Sequence, residues 1–291
     1  MGCRDAAGVD LHIHSTASDG TLSPGEIVNT ARQLGLKAIA ITDHDTLAGV
    51  RAAIDGGIPQ SLRFLTGLEI SAASPRRFPC HGSFHILGYA IRPDDPPLNR
   101  ALVRLQEARK NRNPRIIGQL RQLGFDITLK EVAAHAGDAQ IGRPHIARLM
   151  KEKGFVCSVE AAFDRYLGTG KPAYADKYRI SCREAISLIR GAGGIAVLAH
   201  PGLLKPVRPF DAEEMIAALR AMGLKGIEVF YPEHDAGQTA FYGEIARRYG
   251  LVKTGGTDFH GAIKPGLKMG SGNGDGFCVP FSVYEAITRS V

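Results

Sequence analysis

Short apolar runs alternate along the chain with amphipathic segments that carry helix-capping signals. The segment after the first run begins with Ser23-Pro24-Gly25-Glu26, which is a capping box with proline at the first helical position. Such an order of strands and helices predicts an α/β protein with a parallel sheet, and about seven strands favour a closed barrel. The predicted strands are residues 9–13, 37–42, 64–71, 84–91, 194–199, 226–231 and 251–254.

One long stretch, residues 98–168, departs from this alternation because it shows helical periodicity and no clear strand. Apolar residues such as Leu98, Leu102 and Leu105 predict a long helix, bent at Pro114. We therefore expect a barrel built from residues 1–97 and 169–291, with 98–168 as a helical insertion domain that contributes to substrate binding.

The basic residues of the chain are concentrated in and around this insertion. Residues 98–180 contain 16 Lys and Arg against 8 Asp and Glu, whereas the rest contains 20 against 21. A local basic excess usually indicates an anionic partner such as a phosphate, a nucleotide or a nucleic acid. The alternative is a solvated helical face on which the charges have no partner.

The five cysteines are widely spaced and form no C-x-x-C pair, so we expect reduced thiols and a cytoplasmic protein. The N-terminal residues lack the apolar core of a signal peptide. No apolar run is long enough to cross a bilayer, so no membrane partner is expected.

Histidine and carboxylate side chains recur at the ends of the predicted strands. In the first strand His12 and His14 lie two residues apart, so both side chains should point to the same face. Barrel active sites form where the strands end, so the recurring groups should meet there. Nine residues make up the set: His12, His14, Asp19, His44, Glu69, His85, His200, Asp258 and His260. Any one of them alone could be an ordinary buried polar residue.

Imidazole and carboxylate ligands without thiolates suit Mn²⁺, Fe²⁺, Zn²⁺ or Mg²⁺. Nine ligands are too many for one ion and predict a cluster of two or three. Such clusters activate hydroxide and stabilise charge during displacement at phosphorus.

These motifs, taken in order, resemble the polymerase and histidinol phosphatase (PHP) family of metal-dependent phosphoesterases. The motifs are His12-x-His14, Asp19-Gly20, Thr42-Asp43-His44-Asp45, Gly67-x-Glu69, His85, His200-Pro201 and Asp258-x-His260. The resemblance implies a distorted (β/α)₇ TIM-like barrel with two or three divalent ions, Mn²⁺ first and Fe or Zn²⁺ as alternatives. It also implies three ligand groups: His12, His14, Glu69 and Asp258; Glu69, His85 and His200; Asp19, His44 and His260.

The insertion, with Gly142-Arg143-Pro144-His145, is similar to the branch that contains 3′,5′-nucleoside bisphosphate phosphatases and 5′→3′ exoribonucleases. This likeness implies removal of the 3′-phosphate from a nucleoside 3′,5′-bisphosphate, a small anionic substrate. The first alternative is 5′→3′ cleavage of short RNA, and an alternative of another class is a non-catalytic nucleic-acid-binding protein with a structural metal centre.

Several residues receive expected roles within this hypothesis. A hydroxide bridging two metals would attack phosphorus, with Asp19 and His200 as candidates for the acid that protonates the leaving group. Arg143 is the first candidate for gripping a substrate phosphate, although a salt bridge at the helix start is an alternative. Lys177 and Arg179 are further candidates for substrate binding. The remaining histidines are His81, read as a loop residue, His145, which could be structural, and His135 and His234, which have no assigned role.

Overall fold

The computed structural model describes residues 8–81, 84–136, 141–209, 211–274 and 276–291. In the eight-stranded main sheet, the short strand Ile180–Ser181 pairs with the third strand of a row of seven, which lie side by side in chain order. They are β1 (Val9–Ile13), β2 (Ala38–Ile41), β3 (Arg63–Ala73), β4 (Phe84–Tyr89), β5 (Ile195–Leu198), β6 (Gly226–Phe230) and β7 (Val252–Gly255).

The first and last strands come together and nearly close the sheet into a barrel. Ile13 and Phe259 form a parallel bridge, in which the amide of His14 donates to the Phe259 carbonyl at 2.9 Å. Gly256 permits this approach, because a Cβ there would lie 2.3 Å from the backbone nitrogen of His12. The prediction of an α/β barrel is therefore confirmed, and its closure positions the histidine-bearing end of β1.

One strand runs against the others, so the expectation of a fully parallel sheet is wrong at β4. This strand is antiparallel to both β3 and β5, while the other neighbouring pairs are parallel. A parallel crossover needs about a dozen residues or more, usually with a helix, and the described part of this short connection, residues 74–81, contains no helix. The reversal places the amino end of β4, with His85, beside the carboxyl ends of its neighbours.

Ten α-helices surround or extend the sheet within the described residues. They are α1 (Pro24–Gln33), α2 (Ala48–Asp55), α3 (Pro96–Gln122), α4 (Leu129–Ala136), α5 (Arg143–Glu152), α6 (Val159–Ala162), α7 (Cys182–Gly191), α8 (Ala212–Ala221), α9 (Ala236–Tyr249) and α10 (Phe281–Thr288). The capping box at Ser23 and Glu26 is present, as predicted. None of the helices in the described ranges combines the length and apolar character needed to cross a membrane.

Two apolar clusters stabilise the barrel, and a third lies in the insertion. One barrel cluster packs the sheet against the surrounding helices, including Leu98, Leu102 and Leu105 of α3. The other joins alternate residues of β1 to β5 with Val283 and Ile287 of α10, a helix that the sequence pattern did not reveal.

The insertion has its own core, which begins on the second half of α3. That core includes Ile116 and Leu120 together with residues of α4, α5 and α6. Helix α3 continues through Pro114 without interruption from Pro96 to Gln122. One helix therefore contributes residues to both apolar clusters.

Of the cysteines in the described residues, Cys80, Cys157 and Cys182 are free, whereas Cys278 is disulfide-bonded. The expectation of reduced thiols is thus wrong at Cys278. Pairing depends on proximity in the fold, and the spacing of cysteines in the sequence does not reveal it.

Asp45 provides a buried polar connection between barrel and insertion. Its carboxylate accepts hydrogen bonds from Arg109 of α3 at 2.7 Å and from Lys177 at 2.9 Å. It also accepts from the amide of Ser71 in β3 at 2.8 Å. The residue has φ of 57°, a left-handed conformation that aspartate adopts more readily than most residues. Burial alone would raise the pKa of Asp45, but Lys177 and Arg109 lower it well below 3.8.

We expect Asp45→Asn to lower the free energy of unfolding by about 3 kcal/mol, since it leaves two buried cations without their carboxylate. Urea denaturation of chelator-treated protein measures the loss, with Asp94→Asn at an exposed position as the control. Because folding lowers the pKa of Asp45, its contribution is complete above its ordinary value of 3.8 and is lost as the pH falls below it. An equal effect of both substitutions at neutral pH would contradict this role.

Candidate metal centre

The nine histidine and carboxylate residues singled out from the sequence lie together at one end of the barrel. They are buried or nearly buried, although they come from six strands and the loops that follow them. Their ligand atoms form overlapping groups that could hold a metal ion: His12, His14, Glu69 and Asp258; His14, Asp19, His44 and His260; His44, Glu69 and His85.

The first group surrounds a small space at the end of β1. His14 Nε2 lies 3.2 Å from Glu69 Oε2 and 3.1 Å from Asp258 Oδ1. His12 Nε2 is 3.4 Å from each of the same two oxygens. Four donor atoms at such separations from one another are typical of ligands that share one cation.

A second cluster, formed by Glu69, His85 and His200, is centred on the other oxygen of Glu69, although His200 is in none of the groups above. His85 Nδ1 lies 2.6 Å from Glu69 Oε1, and His200 Nε2 lies 3.0 Å from it. The two imidazole nitrogens are 3.3 Å apart. Glu69 thus presents one oxygen to each of two groups, which is the arrangement of a bridging carboxylate.

The third group forms around Asp19, in the loop after β1. His260 Nε2 is 3.4 Å from Asp19 Oδ1, and His44 Nε2 is 3.9 Å from Asp19 Oδ2. The other ring nitrogen of His44 lies 3.1 Å from Glu69 Oε2. His44 therefore lies within reach of both Asp19 and Glu69, whereas the family resemblance placed it in the Asp19 group alone.

Unpartnered buried atoms show that the centre fits divalent cations. Within the described residues, six atoms of the centre are buried and accept or donate no hydrogen bond: His12 Nε2, His14 Nε2, Asp19 Oδ1, His44 Nδ1, Glu69 Oε2 and His200 Nδ1. Leaving buried polar atoms without partners is costly. Metal coordination would satisfy those in the candidate ligand groups, and a set of imidazoles and carboxylates suits Mn²⁺, Fe²⁺ or Zn²⁺.

The protonation equilibria of the centre lead to the same conclusion. Burial would raise the pKa values of Asp19, Glu69 and Asp258, but neighbouring cationic side chains hold them well below their usual range. Burial would lower the pKa of His14, yet the carboxylates of Asp258 and Glu69 raise it to about 10. In contrast, burial lowers the pKa of His44 to about 3. The ionised form of these carboxylates is therefore favoured, and that form can bind a cation.

Several supporting residues were not identified from the sequence. Glu228 of β6 lies 2.9 Å from His12 Nδ1 and accepts the amide hydrogen of His200 at 2.7 Å. A carboxylate on Nδ1 fixes the tautomer that leaves Nε2 free for a metal. In the sequence, the only sign of a role for Glu228 is that it is a single glutamate within an otherwise apolar strand.

Two buried aspartates hold the loops of the centre in place. Asp43 accepts hydrogen bonds from the amide and hydroxyl of Ser15 and from the hydroxyl of Ser18. Asp10 accepts from the amide and hydroxyl of Thr257, next to Asp258. These aspartates orient backbone and are not in any of the candidate ligand groups.

A second cavity, which we call the cationic pocket, lies beside the metal centre. It has a volume of about 120 Å³ and shares Asp19, His44 and His85 with the centre. Its positively charged lining consists of Arg109, Arg112, Arg143, Lys177 and Arg179. The structure thus brings the three substrate-binding candidates from the sequence into one pocket, and it adds Arg109 and Arg112, which the sequence did not single out.

Arg143 makes no ion pair within the described part of the chain, so the alternative of a helix-start salt bridge finds no support there. Its guanidinium donates to the Leu167 carbonyl at 3.0 Å and lies near the rings of Phe163 and Tyr174. Arg112 is 5% exposed, and its side-chain bonds go to the Asn113 amide oxygen. Burial and the neighbouring Arg109 and Arg143 lower the pKa of Arg112 to about 9. A bound anion would relieve this accumulation of positive charge.

The other histidines whose side chains are described lie outside the candidate ligand groups and contact backbone atoms or a carboxylate. His145 Nδ1 accepts the Gly142 amide at 3.0 Å, and His135 pairs with Glu152. His234 contacts the Val229 carbonyl and the Gly202 amide. The side chain of His81 lies outside the described residues.

Comparisons with known proteins agree with this geometry. The family model described as the PHP domain matches residues 10–219. A 3′,5′-nucleoside bisphosphate phosphatase from Chromobacterium violaceum is 33% identical over 272 residues, which are 91% of this chain and 91% of the relative. A 5′-3′ exoribonuclease from Haemophilus influenzae is 34% identical over 86% of this chain and 89% of its own length.

A solved structure shows the same architecture. The chain of an inferred metal-dependent phosphoesterase from Bifidobacterium adolescentis superposes with a TM-score of 0.87 at 32% identity, covering 98% of this chain and 96% of that one. The fold, the clustered ligands and these matches lead to one conclusion. The chain belongs to the PHP domain family and is a metal-dependent phosphoesterase.

Proposed function

We propose that the protein removes the 3′-phosphate from nucleoside 3′,5′-bisphosphates, giving a nucleoside 5′-monophosphate and inorganic phosphate. The observation that carries this proposal is the cationic pocket beside the metal centre. The metal centre would bind the phosphate that reacts. The five basic side chains of the pocket would bind a second phosphate on the same substrate.

The space between the two phosphate sites suits a nucleoside. A larger cavity of about 390 Å³ opens from the metal centre and shares Pro144 and Phe163 with the cationic pocket. Its walls include the ligand candidates Glu69 and Asp258 and the apolar side chains of Val159 and Ile263. Cavities of a few hundred Å³ with mixed apolar and polar walls are typical of small-molecule sites.

We propose that residues 98–168 act as an insertion domain that supplies much of the second phosphate site. Arg109 and Arg112 lie on α3, Arg143 begins α5, and Lys177 and Arg179 follow the insertion. Five of the 16 Lys and Arg of residues 98–180 thus line the cationic pocket. Arg143 in particular offers a planar fork for a phosphate and has no carboxylate partner in the described residues.

The reaction is hydrolysis of a phosphomonoester. A water oxygen bonds to phosphorus, the bond from phosphorus to the 3′-oxygen breaks, and that oxygen receives a proton. When bound, two or three divalent ions, with Mn²⁺ as the first choice and Fe or Zn²⁺ as alternatives, activate the water and neutralise charge on the phosphoryl oxygens. The nine ligand candidates hold this site, and Glu228 fixes the ring of His12. Asp19 and His200 both line the larger cavity, and both are proposed as candidates for delivering the proton.

The second candidate function is 5′→3′ cleavage of short RNA, which the similarity to the Haemophilus influenzae exoribonuclease favours. The cationic pocket would then hold the 5′-phosphate of the strand. A side-by-side assay of nucleoside bisphosphates and short 5′-phosphorylated RNA measures which is cleaved with the higher kcat/KM. Because the chain belongs to a family of metal-dependent phosphoesterases, the alternative of a non-catalytic nucleic-acid-binding protein is set aside.

Chelation should abolish phosphate release from adenosine 3′,5′-bisphosphate, and added Mn²⁺ should restore it, because the buried ligands then regain their cation. Phosphate release is measured before and after chelation, together with the metal content of the protein. Full activity in metal-free protein would contradict the assignment of the centre.

His14→Ala should reduce kcat by a hundredfold or more, on the order expected when a ligand of a catalytic metal is removed. His135→Ala, at an exposed position in the insertion, is the matched control. Circular dichroism and metal stoichiometry should show a folded protein that binds less metal. Unchanged kcat and metal content in His14→Ala would remove His14 from the centre.

Arg143→Ala should raise the KM for adenosine 3′,5′-bisphosphate about tenfold, since a charge-assisted contact with the second phosphate is lost. The KM for adenosine 3′-monophosphate, which lacks that phosphate, should change little. Arg148→Ala on the same helix is the control, because Arg148 pairs with Glu152 instead of lining the pocket. Equal effects of Arg143→Ala on both substrates would exclude Arg143 from the second phosphate site.

A further inference from the structure

The carboxylate of Asp258 is held on one side by two residues that are not metal ligand candidates. Its Oδ1 faces the first ligand group, 3.1 Å from His14 Nε2 and 3.4 Å from His12 Nε2. Its Oδ2 accepts hydrogen bonds from the hydroxyl of Tyr231 at 2.9 Å and from the ammonium of Lys264 at 3.0 Å. The two oxygens therefore meet different partners, imidazoles on one side and hydrogen-bond donors on the other.

Tyr231 reaches Asp258 from the buried side of the centre. It follows directly after β6, and 2% of its surface is exposed. Its ring lies near that of His200, with 5.6 Å between the ring centroids. A buried hydroxyl without a partner is costly, so the hydrogen bond to Asp258 favours one orientation of both groups.

Lys264 reaches the same oxygen from the cavity side. It follows the short helical turn Gly261–Ile263, which comes directly after the ligand candidate His260. The side chain is 37% exposed and lines the larger cavity together with Asp258. Lys264 and Tyr231 thus approach Oδ2 from different parts of the chain and leave Oδ1 directed at the histidines.

We propose that Tyr231 and Lys264 are positioning residues of the metal centre. By occupying Oδ2, they hold Asp258 in the orientation in which Oδ1 alone binds the ion of the first group. Hydrogen bonds to a ligand carboxylate prepare it for the metal, and their loss typically weakens metal binding. This inference rests on the metal centre that the proposed function requires, but it does not depend on which substrate is hydrolysed.

The first test measures metal stoichiometry across buffered concentrations of free Mn²⁺, without substrate. Tyr231→Phe removes the hydroxyl and keeps the ring beside His200. It should raise the free Mn²⁺ concentration at which one of the ions binds by about tenfold. Tyr242→Phe, in a buried tyrosine of α9 that lies against the ring of His234, is the matched control and should bind Mn²⁺ like the wild type.

The second test uses the sign of the change at Lys264. Loss of a nearby positive charge would by itself strengthen the binding of a cation. Weaker Mn²⁺ binding in Lys264→Met would therefore report a loss of orientation at Asp258. Lys264→Arg should recover most of the affinity, since a guanidinium also donates to a carboxylate. Lys268→Met, at an exposed position four residues further on, should leave Mn²⁺ binding unchanged.

Urea denaturation of the chelator-treated variants separates positioning from general structural support. A merely structural role would lower the free energy of unfolding of the metal-free protein and leave the affinity for Mn²⁺ at its wild-type value. Wild-type Mn²⁺ binding in Tyr231→Phe would therefore overturn the role of Tyr231. Tighter or unchanged binding in Lys264→Met would overturn that of Lys264.

These outcomes are distinct from a failure of the proposed function. A wild-type protein that binds Mn²⁺ but leaves adenosine 3′,5′-bisphosphate intact would contradict the proposed substrate, and the Mn²⁺ affinities of the variants would still decide the roles of Tyr231 and Lys264. A wild-type protein that binds no Mn²⁺ would contradict both.

Discussion

The carboxylate of Glu69 is the interaction on which the metal centre depends. One of its oxygens lies within 3.4 Å of His12, His14 and His44, and the other within 3.0 Å of His85 and His200. So many ionisable groups in a buried space are stable only when positive and negative charges balance. Divalent cations would provide that balance, and Glu69 could contribute to two of the candidate ligand groups, which the barrel assembles from single residues on separate strands.

The barrel brings these residues together through two departures from regular geometry. Strand β4 runs in the opposite direction to its neighbours, which carries His85 to the correct end of the sheet. His200 and Asp258 have positive φ values of 27° and 53°, in a region that few residues other than glycine occupy. Strained backbone of this kind persists where the surrounding structure enforces it, and here it turns side chains into the centre. The amide of His200 is held by Glu228, so the residue that fixes His12 also fixes this turn.

The ligand candidates could be predicted from the sequence because their meeting depends only on the topology of the barrel. Residues at the carboxyl ends of barrel strands meet, whatever the details of packing, so His12, His44 and Asp258 could be placed without a structure. The supporting residues follow no such rule. Glu228 and Asp45 are identified by what they contact, and those partners are separated from them by large distances in the sequence. Arg109 and Arg112 are neighbours on one face of α3, but the face that points to the site is decided by packing against the barrel. The direction of β4 depends on the length of the connection that precedes it, because a parallel neighbour requires a longer crossover, and the residues of β4 themselves carry no sign of it.

Under the proposed function, substrate selection would follow from two charged regions that lie side by side. The metal centre contains the ionised carboxylates of Asp19, Glu69 and Asp258, whereas the cationic pocket contains an excess of arginines. Asp45 lies between these regions and neutralises Arg109 and Lys177, so that Arg112 and Arg143 remain without a carboxylate partner in the described residues. A substrate with a single phosphate satisfies only one of the two regions. Because buried charge without a partner is costly, the free energy of binding favours a ligand that places one anionic group at the metals and another among the arginines. The distance between those regions, set by α3 and the end of β2, then selects the spacing of the two groups on the substrate.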